Sequence, residues 1–238
     1  MIQPGRFLTA EWNHLLMLNY AVNPDLLASY VPAGTELDSF DGNTFLSLVA
    51  FEFNQTRVLG VAVPFHRSFE EVNLRFYVRR GERRGVVFIR ELVPKFAVAA
   101  LARAVFGENY LKVPMRHRVE ADANNGTVRA EYGWGSGVHR CVAWIETYAD
   151  SYVPQQNSLA QFIAEHYWGY TWRSNKETLE YQVQHPQWRV REGKRAEFSG
   201  NAARFYGDNF AYVFEQPPQS AFLAEGSPVT VFKGARIV

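Results

Sequence analysis

The chain has 238 residues, 25 basic against 24 acidic side chains, a formal net charge of +1, and 47% hydrophobic and 15% aromatic residues. That is enough apolar surface for one domain over 1–238, and it gives no case for disorder or for nucleic-acid binding through bulk charge. The single cysteine, Cys141, excludes an intrachain disulfide and a thiol metal cluster and fits a reducing cytoplasm.

Met1 to Thr9 lacks a basic region followed by an apolar core. The longest apolar run, Phe96 to Phe106, is too short for a bilayer and is broken by Arg103. Neither secretion nor membrane insertion is expected. From Trp12 to Tyr20 residues alternate, which predicts a strand with Trp12, His14, Leu16, Leu18 and Tyr20 on one face and Asn13, Leu15, Met17 and Asn19 on the other. Both faces are largely apolar, which places this strand in the interior. Asn23-Pro24-Asp25 supplies a cap, a proline at the first helical position and an early acid, and predicts a short helix ending at Pro32.

Asp41-Gly42 predicts a hairpin between Leu37 to Phe40 and Thr44 to Phe53, with further strands at Val58 to Val63 and Glu71 to Val78. In the last, Val72, Leu74, Phe76 and Val78 face one way and Glu71, Asn73, Arg75 and Tyr77 the other. Its polar face meets either solvent or a ligand cavity. Arg79, Arg80, Arg83 and Arg84 read as a charged hairpin tip around Gly81 and Gly85. A strand at Val86 to Leu92 leads to an Ala-rich helix over Phe96 to Phe106, ended by Gly107.

Asn124-Asn125-Gly126 joins strands at Met115 to Ala121 and Val128 to Trp134, and another strand runs from Val138 to Tyr148. Gly133-Trp134-Gly135-Ser136-Gly137 lacks the lysine and helix of a phosphate loop and reads as a bulge or tight connection. Ser158 caps a helix whose Leu159, Phe162, Ile163 and His166 share one side. Trp172 to Val183 and Trp188 to Val190 are the last predicted strands. The pattern predicts a mainly β domain with inserted helices, arranged as a closed or cone-like antiparallel barrel. The six histidines have no spacing that turns two from one element toward a metal, so neither metal nor cofactor is expected. No GxSxG elbow appears, and Cys141 has no helix N-terminus behind it.

Four blocks resemble the uncharacterised YqjF-like family. They are Trp12 to Asp38 with Val31-Pro32-Ala33-Gly34, Glu71 to Val78, Ala164-Glu165-His166-Tyr167-Trp168-Gly169-Tyr170, and His185-Pro186-Gln187-Trp188. The resemblance implies the acetoacetate decarboxylase-like fold, a cone of antiparallel sheet around a small-molecule cavity. Acetoacetate decarboxylases carry an Arg-Glu-Leu run followed by Tyr-Pro-Lys-Lys, whose first lysine forms a Schiff base with the substrate ketone. Arg90-Glu91-Leu92 matches the first run. Tyr110-Leu111-Lys112-Val113 resembles the second, with Lys112 in the reactive place, while Pro94-Lys95 or an Asn109-Tyr110 register offers Lys95 or Tyr110 instead. Val113 replaces the second lysine, His14 stands where those enzymes have a substrate-binding arginine, and Glu52 is the carboxylate nearest their acidic residues.

Two uses of the cone stay open. In one, the cavity binds a small organic ligand without catalysis, through His14, Asn73, Arg75, Tyr77 and Tyr110. In the other, Lys112 is the nucleophile of a Schiff-base lyase acting on a small oxo-acid or ketone, and Glu91 or His66 moves protons. A lysine at its reference pKa of about 10.4 is only roughly 0.04% neutral at pH 7, so that chemistry requires Lys112 to sit in an enclosed apolar cavity. A third use, as an interaction module, would expose Trp168, Tyr170 and Trp172. The expected partner is a small organic ligand and neither nucleic acid nor membrane. Whether the chain forms a homo-oligomer stays open.

Overall fold

The computed structural model describes residues 5–62, 65–95, 107, 109–173 and 177–237. Its first strands are β1 (Arg6–Val22), β2 (Glu36–Leu37), β3 (Thr44–Val58), β4 (Val61–Ala62), β5 (Phe69–Arg80) and β6 (Arg83–Val93). Then come β7 (Tyr110–Lys112), β8 (Met115–Ala121), β9 (Val128–Trp134), β10 (Cys141–Tyr152) and helix α1 (Leu159–Ala164). The chain closes with β11 (Trp168–Arg173), β12 (Glu177–Gln184), β13 (Val190–Gly200), short helices α2 (Ala203–Tyr206) and α3 (Asp208–Ala211), β14 (Ser220–Phe232) and β15 (Ala235–Arg236).

The described strands make one mainly antiparallel sheet in the order β15-β12-β11-β6-β5-β3-β1-β14-β13-β10-β9-β8, with β2 added on β5, β4 on β3 and β7 on β6. Strand β12 also pairs with β14, Val183 opposite Val231 and Gln184 opposite Thr230. Turn chemistry explains several hairpins. Asp41 and Gly42 have φ of 48° and 77°, which suits the right-handed twist of the strands they join, and Phe40 bridges to Asn43 across them. Gly135, at φ 81°, has no alternative, because a Cβ there would stand 2.4 Å from the His139 carbonyl oxygen.

Strands β1, β3 and β5 lie side by side and send side chains into cores on both faces of the sheet. Leu16, Leu18, Leu46, Leu48, Leu74 and Phe76 join one core with Tyr132, Trp134 and Phe214. Leu15, Met17, Val49, Phe51 and Tyr77 join the other, where Phe162 and Ile163 of α1 and Trp188 also pack. Leu15 to Leu18 are all at most 1% exposed, as the two-faced apolar pattern of β1 requires. Burial of each such side chain stabilises the fold by about 1.5–3 kcal/mol.

Four expectations are corrected. The alternation of β1 does not run unbroken: His14 has φ 52° and the register against β3 shifts between Asn13 and Leu16. The extra residue reverses the faces, so Trp12 packs on Phe51, Phe53 and Trp188 while Leu16, Leu18 and Tyr20 enter the opposite core. Asn23-Pro24-Asp25 starts two 3-10 turns, Pro24–Leu26 and Ala28–Tyr30, not an α-helix. Helix α1 stops at Ala164, so His166 lies beyond it. The single strand expected from Trp172 to Val183 is divided between β11 and β12, which pair with each other, and Tyr170 is fully buried beside a half-buried Trp168, leaving Trp172 exposed. The helix expected over Phe96 to Phe106 lies outside the described residues.

Candidate functional site

The polar face of β5 meets protein, not bulk solvent. Glu71, Asn73, Arg75 and Tyr77 are each buried to 8% exposure or less, between β3 and β6 and beneath α1 and the residues after it. The row has two chemically different ends. At one, Asn73 Nδ2 donates to Glu71 Oε1 at 3.1 Å and the Tyr110 hydroxyl donates to Glu71 Oε2 at 3.0 Å. Glu91 stands opposite Asn73 on β6 and beside Tyr110 on β7. Burial raises the Glu71 carboxyl pKa to about 7, although the Asn73 and Tyr110 hydrogen bonds and the Arg75 charge favour its ionised form. Burial, with the charges of Glu71 and Glu91, holds the Tyr110 phenol well above its usual range, so it remains a donor.

At the other end Arg75 Nη2 donates to the Ile163 carbonyl of α1 at 3.1 Å, and its guanidinium lies 5.7 Å from the Tyr77 ring centre. Arg75 Nε is buried without a hydrogen-bond partner, and no described carboxylate forms an ion pair with this side chain. A buried cation in that condition is costly, because water has been removed and no carboxylate in direct contact replaces it, Glu71 acting on it only at longer range. His166 stacks on Tyr77 at 4.6 Å and meets Phe162 edge-on at 5.6 Å, and neither ring nitrogen has a hydrogen-bond partner. The Tyr77 hydroxyl is 2.6 Å from Ser47 Oγ, which donates to Asn19 Oδ1 at 2.7 Å. Asn19 Nδ2 reaches Ser220 Oγ at 3.2 Å, at the lip of a cleft of about 410 Å³ lined by Tyr152, Ser158, Leu159 and Phe222.

His14 does not join this row. The bulge turns it to Glu52, Nδ1 to Oε1 at 3.0 Å. His117 of β8 then bridges Glu52 at 3.1 Å and Glu70 at 2.9 Å, two carboxylates that face each other across β3 and β5. Burial favours the neutral form of Glu52, but the His14 hydrogen bond and the His117 and His14 charges outweigh it and lower its pKa. This group lies toward the core of Tyr132, whose hydroxyl donates to the His14 carbonyl at 2.9 Å. No set of three or more His, Cys, Asp or Glu among the described residues could hold a metal ion. No helix among the described residues is long and apolar enough to cross a membrane.

Lys112 closes the three-residue strand β7 and is exposed, whereas Tyr110, two residues earlier on the same strand, reaches Glu71. Lys95 is half-buried just past β6, and His66 is half-buried in the segment leading into β5. The sheet therefore brings Asn73, Arg75, Tyr77, Tyr110 and Glu91 together and leaves Lys112 at the surface.

A family model described as an uncharacterized conserved protein, DUF2071, matches residues 9–228. The chain belongs to that family. The uncharacterized protein YqjF of Bacillus subtilis (strain 168) is 28% identical over 193 residues, which are 80% of this chain and 77% of that one. The enduracididine biosynthesis enzyme MppR complexed with pyruvate is similar at a TM-score of 0.70 and 14% identity, over 99% of this chain and 91% of that one. Acetoacetate decarboxylase from Legionella pneumophila is similar at 0.66 and 12%, over 99% and 87%. The DUF2071 chain thus shares its fold with acetoacetate decarboxylase-like enzymes.

In this DUF2071 chain, sequence reasoning named the residues that alternation displays and missed Glu71, His166 and His185 as site members. Glu71 was visible on the polar face of its strand. His166 and His185 had no such signal, because each is placed by the chain after an element: His166 after α1, and His185 after β12, where it stacks on Trp188 at 4.0 Å.

Proposed function

We propose that this DUF2071 protein binds a small organic acid against the buried face of β5, with the acid's carboxylate on Arg75. The observation that carries this is the buried guanidinium with no carboxylate of its own and an unpartnered Nε. Arginine holds carboxylates through paired N–H donors, and a ligand anion would supply the missing charge. Asn73, Glu71 and Tyr110 would then meet the ligand's other end, since Asn73 Oδ1 is buried without a partner. In this reading the strands β14, β1, β3, β5, β6, β11 and β12 form a closed cone around the ligand, joined by the β12 to β14 pairing. The buried, free Cys141 is compatible with work in the cytoplasm.

The second reading is a Schiff-base lyase using Lys95 or Lys112. The carboxyl of Glu71, poised near neutral pH, favours it by offering a group able to give and take a proton. The exposed position of Lys112 favours the binding reading.

Pyruvate, the molecule named with MppR, is the first probe. Calorimetric titration should show saturable binding, and Arg75→Met should weaken it roughly tenfold or more. Borohydride reduction with pyruvate, read by peptide mass spectrometry, should leave Lys95 and Lys112 unmodified. Equal affinity in Arg75→Met sinks the proposal, and a reduced adduct on either lysine replaces it with the lyase.

A further inference from the structure

We propose that His166 is the second cationic contact of this site: an anion held by Arg75 draws a proton from solvent onto the His166 ring as it binds. The inference rests on the organic-acid reading above and adds a residue, a charge state and a pH dependence to it.

The geometry begins at Tyr77, whose ring carries Arg75 at 5.7 Å and His166 at 4.6 Å. The guanidinium and the imidazole therefore lie no farther apart than those two distances combined. Both are buried, at 8% and 7% exposure, and both hold nitrogen atoms without a partner. The Ile163 carbonyl is near enough to act on the His166 charge, but it does not complete a hydrogen bond to the ring and already accepts from Arg75. A buried imidazole with two idle nitrogens is costly to the fold, because each has lost its water without gaining a partner. A carboxylate beside it would accept from one of them.

The surrounding charges decide the protonation state. Arg75 and Tyr77 face His166 from β5, Arg84 faces it from β6 with Asp38 bound to its Nε at 2.7 Å, and His185 faces it from the segment after β12 with Glu165 nearby. Burial first, then the charges of Arg75 and Arg84, hold His166 well below its usual range, so the empty site carries it neutral. An anion on Arg75 cancels the stronger of those two charge effects and adds an attraction of its own. Protonation then becomes favourable, and a neutral ring with one donor becomes an imidazolium with two. The balance is one carboxylate and one solvent proton entering together, with no net charge added to the buried space.

The linkage has a definite sign. Because the bound state holds a proton the free state lacks, affinity must fall as pH rises, by up to tenfold per pH unit between the free and bound values of His166. A carboxylate recognised by Arg75 alone would leave Glu71, whose ionised form the Arg75 charge favours, as the group that responds to pH, and that response would be the same with or without the His166 ring.

The test is pyruvate titration of the full chain at pH 7.5 in two buffers of different ionisation heat, with His166→Gln and His166→Phe beside wild type. The wild type should take up more protons per pyruvate than either variant, whose remaining uptake is that of Glu71. Both variants should bind roughly ten- to a hundredfold more weakly. Proton-detected NMR of the histidine rings, assigned with His166→Gln, should show the His166 signal moving from the neutral to the imidazolium position on saturation. Pyruvate binding that depends on Arg75 but takes up no proton, or takes it up equally in both His166 variants, overturns this inference and leaves the organic-acid reading standing. Absence of pyruvate binding in the wild type, or binding indifferent to Arg75→Met, overturns both.

Discussion

Glu71 is a carboxyl whose pKa the fold lifts to near neutrality. Its pKa of about 7 lies above the unfolded value near 4.5, so between those values the folded chain binds more protons than the unfolded one. Stability at this residue is therefore complete below the unfolded value and declines as pH rises toward 7, by a few kcal/mol at about 1.4 kcal/mol per unit. Glu71→Gln has no charge to lose. Its melting temperature relative to wild type should rise from pH 4.5 to 7 and then level off, and a difference that stays constant across that range would refute the assignment. In its protonated fraction, which grows as pH falls below about 7, Glu71 can donate a hydrogen bond to a ligand, which an ionised carboxylate cannot.

At the scale of elements, the bulge in β1 and a glycine in β14 are one device. Gly226 lies opposite Asn13 at φ 92°, and a Cβ on it would stand 1.9 Å from the Trp12 carbonyl oxygen. Gly226→Ala should lower stability by more than about 3 kcal/mol in chemical denaturation, since it adds a backbone clash to a strained φ. A loss below 1 kcal/mol would mean that the two strands can separate there. The capping hydroxyl of Ser158, which accepts from Gln161 N at 3.2 Å, is a milder case: Ser158→Ala should cost about 1 kcal/mol.

These elements also show what a sequence reader can see. Strands β8 and β9 were legible to the residue because Asn124-Asn125-Gly126 marks their turn, and the core of β5 was legible because its alternation is unbroken, although the strand runs two residues further at each end. Strand β14 was not, because Glu225-Gly226-Ser227-Pro228 interrupts its apolar pattern and β1, the strand it pairs with over most of its length, lies some two hundred residues away. The site divides in the same manner. Asn73, Arg75 and Tyr77 follow from the period of one strand, whereas the burial of that face depends on α1 arriving from elsewhere. Lys112 drew attention through the likeness of Tyr110-Leu111-Lys112-Val113 to the decarboxylase run, but that likeness could not tell that β7 is three residues long and ends at the surface.

For the whole molecule, three adjacent strands serve both cores, so neither core can come apart alone. Unfolding followed by tryptophan fluorescence and by far-ultraviolet circular dichroism should give coincident transitions. Leu16→Ala and Val49→Ala, placed in opposite cores, should each shift both probes together, with about 2–5 kcal/mol lost at Leu16. Separate transitions would show that the two faces are independent units. The last strand in the sheet order has its own bearing on the molecule's fate. Strand β8 has only β9 beside it among the described strands, and Arg116, His117, Arg118 and Glu120 fill four of its seven positions. A chain whose net charge is only +1 repels its own copies weakly, and an open strand edge invites another chain to pair with it. Concentrating charge along that edge guards against aggregation, so uncharged substitutions at Arg116, Arg118 and Glu120 should be tolerated by the fold and poorly tolerated by the solution.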